Sequence, residues 1–371
     1  MSPTGLLLVN TDAIVANWQL ISDRLRLSNP AGMSAAVVKA NAYGLGVHAV
    51  GDALNKAGCQ HFFVATLQEA VELREIVGRL PEIFVLGGLS HGCGDEWLKY
   101  GFIPVLFDVG HVGLWLAYCQ RVEQRLPCVL KVDTGMHRLG LDPHDLNGLL
   151  EKSQGLDSLN LRYLMSHLAC ADEAAHPLNQ QQLSAFSSCV SKIKAVFPDV
   201  ICSFANSSGV FLGSNFHFDL ARPGSALYGV NPVPLESNPM RSVVKLVLPV
   251  MQVRTISKAE SVGYGASFHV QRESRIAVVF GGYADGLLRG LSNRGFGYCR
   301  GQRVPIVGRV SMDSLALDIT DLDFLPDTVE LLNDVQGVDA LAASARTIGY
   351  EILTSLGARY KRHYVSTFEG V

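Results

Sequence analysis

The sequence lacks most of the features that would place it outside ordinary globular proteins. No apolar run approaches the ~18 residues of a membrane-spanning helix, and the longest candidate, residues 243–253, is interrupted by Lys245 and Pro249. The N-terminus has no basic stretch followed by a small-residue cleavage site, as a signal peptide would. A net charge of −3 over 371 residues gives no basic face for nucleic acid. We therefore expect a cytoplasmic protein that binds neither membrane nor nucleic acid.

Cysteine and glycine motifs are also missing. The eight cysteines include no Cys-x-x-Cys pair, and in a long chain we expect them to be reduced and mostly buried. The spacing of His167, Cys170, Asp172 and His176 matches no pattern of metal ligands, so we expect no metal site. A Gly-x-Gly-x-x-Gly turn opening a helix is absent, which disfavours a dinucleotide-binding fold.

What the chain does have is a long alternation of apolar strands and helical stretches. Hydrophobic residues make up 48% of the sequence, enough for a sizeable core. A strand at residues 6–9 is followed by a helix that Asn10 or Thr11 could cap, and later helices are expected at residues 67–77, 109–124 and 178–196. Apolar strands are expected at residues 35–38, 61–65, 83–86, 103–107, 128–132, 162–165, 201–204 and 217–219.

About eight strand–helix units is the number that closes a TIM barrel of parallel strands. After about residue 235, turn-rich sequence gives way to β-type runs at residues 243–256, 275–280, 304–310 and 315–319. We therefore predict an α/β fold, with a (β/α)8 TIM-type barrel over residues 10–235 and a C-terminal mostly-β domain over residues 236–371. Residues 1–9 could pair with either domain.

Polar side chains follow the predicted barrel strands, where barrel enzymes have their active sites. Lys39 follows the first strand, and residues 133–138, 166–167, 206–209 and 222–225 follow later ones. A lysine among apolar residues loses solvation, so its pKa falls and its amine can form a Schiff base with a carbonyl. Alternatively, Lys39 only reaches solvent at a strand end. The hydroxyl groups and glycines of the nearby turns together favour a phosphate site, and a phosphate beside such a lysine points to pyridoxal 5′-phosphate (PLP).

Five blocks of sequence carry a resemblance to the alanine racemase family. Residues 36–46 (Ala-Val-Val-Lys-Ala-Asn-Ala-Tyr-Gly-Leu-Gly) are similar to its PLP-lysine motif, and residues 131–140, 222–229, 262–266 and 307–313 agree in order and spacing. The last two blocks contain Tyr264 and Met312 and are specific to the two-domain racemases. The resemblance implies a PLP-dependent homodimer that interconverts L-alanine and D-alanine and supplies D-alanine for peptidoglycan.

The resemblance also implies a role for each site residue. Lys39 would hold PLP and move a proton at one face of the substrate Cα, while Tyr264 of the partner subunit would serve the opposite face. Arg222 would face the ring nitrogen of PLP, where a guanidinium can only donate and leaves the nitrogen unprotonated. His167 would orient Arg222, and Arg138 would contact the phenolic oxygen of PLP and the substrate carboxylate.

Other implied roles concern the phosphate, the carboxylate and the entrance. PLP would also be bound by Tyr43, Asn206, Ser207, Gly224 and Ser225. The backbone amide of Met312 would help bind the substrate carboxylate, and Lys131, often carbamylated in the family, would become an anion that holds Arg138. Asp172, Tyr283 and Arg289 would line the entrance. Lys131 and the entrance residues could instead be structural or solvated groups.

One position departs from the family pattern. In the family, a tyrosine near the C-terminus commonly donates to the phosphate. Ungapped alignment puts Ala358 at that position, and the role is carried to neither Tyr350 nor Tyr360.

Three other functions stay open. They are a broader-specificity racemase acting on serine or other amino acids, a PLP-dependent amino-acid decarboxylase, and a non-catalytic PLP-binding barrel. A decarboxylase would need a carboxylate where Arg222 stands, and the non-catalytic proteins lack the second domain.

Overall fold

The structure, a computed structural model, describes residues 4–89, 94–151 and 158–368. Cys93, the first three residues of the chain and the last three residues of the predicted C-terminal domain lie outside this part of the chain. Within the described residues, no helix has both the length and the apolar character needed to cross a bilayer. The seven cysteines in these residues are free thiols, and most of them are buried.

The N-terminal part folds as a parallel barrel, as predicted from its alternating strands and helices. The first ten strands are β1 (Leu6–Asn10), β2 (Met33–Ser34), β3 (Ala36–Val37), β4 (His61–Val64), β5 (Glu82–Val85), β6 (Phe102–Leu106), β7 (Pro127–Lys131), β8 (Asn160–Met165), β9 (Ile201–Ser203) and β10 (Leu220–Ala221). Strands β3 to β9 form one parallel sheet in chain order. Strand β10 pairs in parallel with β2, and the Arg222 amide donates to the carbonyl of Ala205 at 2.9 Å. These contacts close the ring, with β2 and β3 serving as two halves of one strand.

Helices cover the outside of the barrel. The helical segments of this part of the chain are α1 (Thr11–Ser28), α2 (Lys39–Tyr43), α3 (Val47–Lys56), α4 (Leu67–Val77), α5 (Glu96–Tyr100), α6 (Val109–Arg121), α7 (Pro143–Glu151) and α8 (Pro177–Lys194). Segment α2 is the exception, since its residues 40–43 have left-handed dihedral angles and form a turn beside the strand ends. Helix α1 begins after Asn10, whose side chain accepts from the amide of Ala13 at 2.8 Å. Thr66 and Asp108 cap α4 and α6 in the same way. Each cap fixes where a helix begins after the preceding strand.

Aromatic side chains fill the barrel interior. The rings of Phe63 and Phe84 stack at 4.4 Å, and Tyr163 meets Phe84 edge-on at 4.9 Å. The Tyr163 hydroxyl donates to the carboxylate of Glu82, at the start of β5, and Arg162 pairs with the same carboxylate at 3.0 Å. The ion pair therefore lies toward the end at which the strands begin.

The C-terminal part is mostly β-structure, as predicted. It contains β11 (Val244–Ile256), β12 (Ser261–Val262), β13 (Phe268–His269), β14 (Ser274–Phe280), β15 (Phe296–Cys299), β16 (Gln302–Val307), β17 (Ser314–Asp318), β18 (Thr328–Leu332) and β19 (Lys361–Val365), with α9 (Val338–Ala345) and α10 (Gly349–Ser355). Its main sheet has the order β14-β17-β16-β15-β18-β11-β1-β19. The long β11 also pairs with β14, and two shifts of register bend it. Strand β1 pairs with β11 and β19, so the N-terminal strand joins the second sheet.

The predicted eighth barrel strand at residues 217–219 is wrong, since β10 begins only at Leu220. Phe218 has a φ of 51°, which no β-strand residue adopts. His217 lies 2.6 Å from the hydroxyl of Ser28, and the Asp219 carboxylate accepts the amide of Cys202 at 2.8 Å. These three residues form the turn that leads into the strand.

Candidate active site

Lys39 lies directly after β3, at the carboxyl end of the barrel. The four residues that follow, Ala40 to Tyr43, have φ values between 52° and 55°. This left-handed conformation costs roughly 1–2 kcal/mol for each L-residue, so it persists only where its surroundings hold it. Part of that support comes from Asn41, whose side chain accepts from the amide of Val47 at 2.7 Å. The turn brings Lys39 and Tyr43 to the same cavity.

The Lys39 amine is prepared for attack on a carbonyl. Burial and the Arg138 guanidinium lower the pKa of Lys39, while the Glu69 carboxylate acts in the opposite direction. A lysine whose pKa is lowered is neutral more often near pH 7, and the neutral amine is the nucleophile.

A cavity of about 610 Å³ opens beside Lys39 at the carboxyl ends of the strands. Ten of the site residues predicted from the sequence line it: Lys39, Tyr43, Lys131, Arg138, His167, Asn206, Ser207, Arg222, Gly224 and Ser225. They come from five separate stretches of chain, and the closed barrel brings them together. The volume suits a small cofactor together with a small substrate.

Arg222 is held in the cavity wall by several hydrogen bonds. It is buried, and its guanidinium donates to the hydroxyl of Ser203, to the carbonyl of Ser166 at 2.5 Å and toward His167 Nδ1 at 3.4 Å. Burial, together with the nearby Arg222 charge, holds the pKa of His167 well below its usual value. His167 is therefore neutral at pH 7, so its Nδ1 can accept from Arg222.

Hydroxyl groups and backbone amides form a cradle on one side of the cavity. Ser207 Oγ accepts from the amides of Gly224 at 3.0 Å and Ala226 at 3.2 Å. Ser225 Oγ lies 3.2 Å from Ser207 Oγ. A Cβ at Gly224 would come within 2.4 Å of the Tyr43 hydroxyl, so a side chain there would close the cradle. Burial raises the pKa of Tyr43, which keeps this phenol protonated and able to donate to an anion.

Two further cations, Lys131 and Arg138, face the cavity. Lys131 ends β7 and is buried, and burial with the charges of Arg222 and Arg138 lowers its pKa to about 8. Arg138 is exposed and lies in a loop that the Asp133 carboxylate holds by accepting from the amides of residues 135, 136 and 137 at 2.9–3.2 Å. Both side chains are therefore available to anions that enter the cavity.

The predicted residues of the second domain do not reach this cavity within one chain. Tyr264, Met312 and Tyr283 are 71%, 53% and 44% exposed. Arg289 is also exposed, as is Asp172 in the loop after β8. Within one chain these side chains therefore face solvent rather than the cavity.

An ion-pair clamp joins the turns that carry Tyr283 and Met312. The amide of Tyr283 donates to the carbonyl of Ser311 at 2.9 Å, so the two turns contact each other directly. Arg359 binds the fully buried Asp285 in bidentate fashion, at 2.6 and 2.7 Å, and also pairs with Asp313 at 2.8 Å. One guanidinium therefore fixes both turns, which no sequence motif had indicated.

Tyr350 is a cavity residue to which the sequence assigned no role. It lies in α10, lines the cavity, and its hydroxyl is 2.9 Å from Ser225 Oγ. Helix α10 packs tightly on the turn after Lys39, since a Cβ at Gly44 would come within 2.6 Å of the Leu353 carbonyl oxygen. Tyr360 is buried elsewhere and Ala358 lies in an exposed turn, so neither meets the cradle.

Comparisons with known proteins agree along the whole chain. The sequence model of the alanine racemase N-terminal domain matches residues 9–232, and that of the alanine racemase C-terminal domain matches residues 243–364. An alanine racemase of Rhodospirillum rubrum is 46% identical over 374 residues, covering 99% of this chain and 97% of the relative. A catabolic alanine racemase of Mesorhizobium japonicum is 45% identical, covering 97% and 93%.

A solved structure shares the fold. The crystal structure of alanine racemase from Bartonella henselae with covalently bound pyridoxal phosphate superposes with a TM-score of 0.92 at 41% identity. The match covers 98% of this chain and 99% of that one. Both the barrel and the second domain are therefore shared.

Proposed function

Because the chain belongs to the alanine racemase family, we propose that it interconverts L-alanine and D-alanine by a two-base mechanism, with Lys39 of one subunit and Tyr264 of its partner. The family depends on PLP, and the chain is accordingly a PLP-dependent isomerase. The observation that carries the mechanism is the separation of the two bases: Lys39 lines the barrel cavity, while Tyr264 is 71% exposed on the other domain. On this proposal, a second chain would bring Tyr264 to the cavity.

The cavity residues fit PLP. Lys39 has the lowered pKa that covalent attachment to an aldehyde requires, and the hydroxyl groups of Ser207 and Ser225 lie together beside Gly224, where they would bind a phosphate. Asn206, Tyr43 and Tyr350 extend this set at the cavity wall. When bound, PLP withdraws electrons from the substrate Cα and makes its hydrogen acidic.

Arg222 and His167 determine which reaction is favoured. A guanidinium only donates hydrogen bonds, and three protein partners hold Arg222, so it would leave the ring nitrogen of bound PLP without a proton. Arg222 would in this way weaken the electron withdrawal that PLP supplies and favour return of a proton to Cα. This argues against the decarboxylase alternative, since that enzyme would use a carboxylate at the same place.

Inversion of a stereocentre requires a proton to leave one face of Cα and another to arrive at the opposite face. We assign these transfers to the Lys39 amine and the Tyr264 hydroxyl. In a C₂ homodimer the exposed surface with Tyr264, Met312 and Tyr283 would cover the partner's barrel opening, and the same contact would be made twice. Tyr283 and Arg289, with Asp172 of the barrel, would line the entrance.

The substrate carboxylate would be bound by Arg138 and by the backbone amide of Met312 from the partner. Lys131 has a pKa of about 8, so roughly a tenth of it is the neutral amine at pH 7. Only the neutral amine reacts with carbon dioxide, giving a carbamate and a proton. The carbamate would replace a cation by an anion and so hold Arg138 in place.

For its role in the cell we propose the supply of D-alanine for peptidoglycan in the cytoplasm. The 45% identical relative named catabolic favours a second role, the breakdown of D-alanine, and the same site would serve both directions. A strain without this gene should need added D-alanine to grow if the role is biosynthetic. Growth without D-alanine, combined with failure to use alanine as a nutrient, would favour the catabolic role.

Chiral analysis of the products tests the reaction itself. Purified enzyme should convert either enantiomer of alanine to the equal mixture of both, and it should act much more slowly on serine and lysine. Comparable rates on serine would favour the broader-specificity racemase. Release of carbon dioxide without racemisation would favour the decarboxylase.

A further inference from the structure

Glu69 makes two sets of contacts, and its own helix explains only one. As the third residue of α4 it forms a capping box: its amide donates to Thr66 Oγ1, and its Oε2 accepts from the Thr66 amide, both at 3.2 Å. Beyond this motif, Oε2 accepts from the amide of Ala65 at 2.7 Å, and Oε1 accepts from the amide of Ala40 at 2.8 Å. The last contact crosses from the second barrel strand to the first.

We propose that Glu69 is the positioning residue of Lys39, because its carboxylate joins the amide after Lys39 to the end of the neighbouring strand and places an anion near the lysine amine. This inference rests on the proposed function, in which Lys39 carries PLP and moves a proton. It adds a residue that does not line the cavity.

The backbone geometry supports the proposal. Ala40 is the first of the four left-handed residues, and its amide is the group that Glu69 accepts from. Hydrogen bonds to a charged acceptor are stronger than those between neutral groups. The carboxylate therefore fixes the start of a strained turn, and the direction of the Lys39 side chain depends on how that turn starts.

The charges near Lys39 support it independently. Arg138 and Lys131 are cations that act on Lys39, His167 is neutral at pH 7, and Glu69 is an anion. Burial and Arg138 lower the pKa of Lys39, and Glu69 raises it. A base that must take a proton from Cα needs enough proton affinity to hold it, and Glu69 preserves that affinity.

Recapture of PLP by the stripped enzyme tests both parts of the proposal. PLP is first removed from the enzyme, and its covalent attachment on re-addition is then followed by absorbance at pH values from 6 to 10. The rate of attachment should rise with pH as Lys39 loses its proton. Glu69→Gln removes the charge and turns one acceptor into a donor that faces an N–H group. Glu69→Asp keeps the charge but is one methylene too short to span both strands. Glu72→Gln, on the exposed face of the same helix, is the matched control.

For Glu69→Gln we expect the midpoint of the rate–pH curve to move to lower pH and the plateau to fall about tenfold, which corresponds to about 1.4 kcal/mol. Glu69→Asp should keep the midpoint of the rate–pH curve but show a lower plateau rate. Glu72→Gln should behave as the unmodified enzyme. The proposal is overturned if Glu69→Gln has a lower melting temperature but an unchanged midpoint and plateau of the rate–pH curve. Glu69 would then be only a helix cap. If that variant does not fold, an unchanged plateau in Glu69→Asp overturns it equally.

Borohydride reduction and peptide mapping separate this proposal from the one on which it rests. The pyridoxyl group should be found on Lys39 in the unmodified enzyme. Labelling of another lysine would refute the role of Lys39, and with it that of Glu69. Labelling of Lys39 together with unaltered recapture in Glu69→Gln would refute only the role of Glu69.

Discussion

Mixing two inactive variants would reveal whether each active site is built from two chains. Lys39→Ala removes a base from the barrel cavity, and Tyr264→Phe removes a hydroxyl from an exposed side chain of the other domain. Each variant homodimer should be nearly inactive, because every site lacks one of the two bases. The measurement is racemase activity after the variants have been mixed in equal amounts and allowed to exchange subunits.

The expected recovery follows from counting sites. Random exchange makes half of the dimers heterodimers, and in a C₂ dimer each heterodimer has one doubly defective site and one site with both Lys39 and Tyr264 intact. About a quarter of all sites should therefore become active. If both bases came from the same chain, no dimer would contain an intact site.

A matched control uses two variants within the same barrel. Arg138 and Lys39 line one cavity, so mixing Lys39→Ala with Arg138→Ala gives heterodimers in which each barrel is still defective. This mixture should stay inactive. Exchange should be verified by mass spectrometry of tagged subunits, and an inactive Lys39→Ala and Tyr264→Phe mixture with proven exchange would refute the shared site.

Three further predictions concern single residues. Arg222→Glu should give the ring nitrogen of PLP a proton, so transamination should rise relative to racemisation; an unchanged ratio would contradict the role of Arg222. Arg359→Lys loses the bidentate pair with Asp285, so we expect a higher KM for alanine with a smaller loss of kcat, while an equal loss of both would indicate a general disturbance. The pKa of His167 is lower in the folded chain than the roughly 6.5 of an unfolded histidine, so stability should be complete above about pH 6.5 and decline below it. His167→Gln should flatten that part of a melting-temperature curve against pH, and an unaltered curve would contradict it.

The sequence predicted the barrel part of the site because carboxyl ends of parallel strands meet at one edge. Lys39, Arg138, His167 and Arg222 each follow an apolar strand, and closure of the barrel alone brings them together. Strand limits were harder to predict. From Phe216 to Leu220 apolar and polar residues alternate as they do in a strand, so periodicity could not show that the strand starts only at Leu220.

Tyr350 and Glu69 could not be found in this way, for different physical reasons. Tyr350 reaches the cavity because the seven-residue α10 folds back from the second domain, and so short a helix shows no clear period. Glu69 has a complete local explanation as a capping box, which hides its contact with Ala40, 29 residues earlier. Glycine is the residue that usually indicates a left-handed turn, and residues 40–43 contain none, so the sequence did not predict the turn after Lys39.

The balance of charge in the cavity connects these observations. Four cations, Lys39, Lys131, Arg138 and Arg222, line it, and among the described residues no aspartate or glutamate does. Repulsion between cations and loss of solvent are what lower the pKa of both lysines. On the proposed mechanism, the same crowding would make one lysine a nucleophile toward an aldehyde and leave the other open to carbon dioxide. Each reaction, like binding of a phosphate or a carboxylate, lowers the positive charge, so binding its ligands should stabilise the folded enzyme.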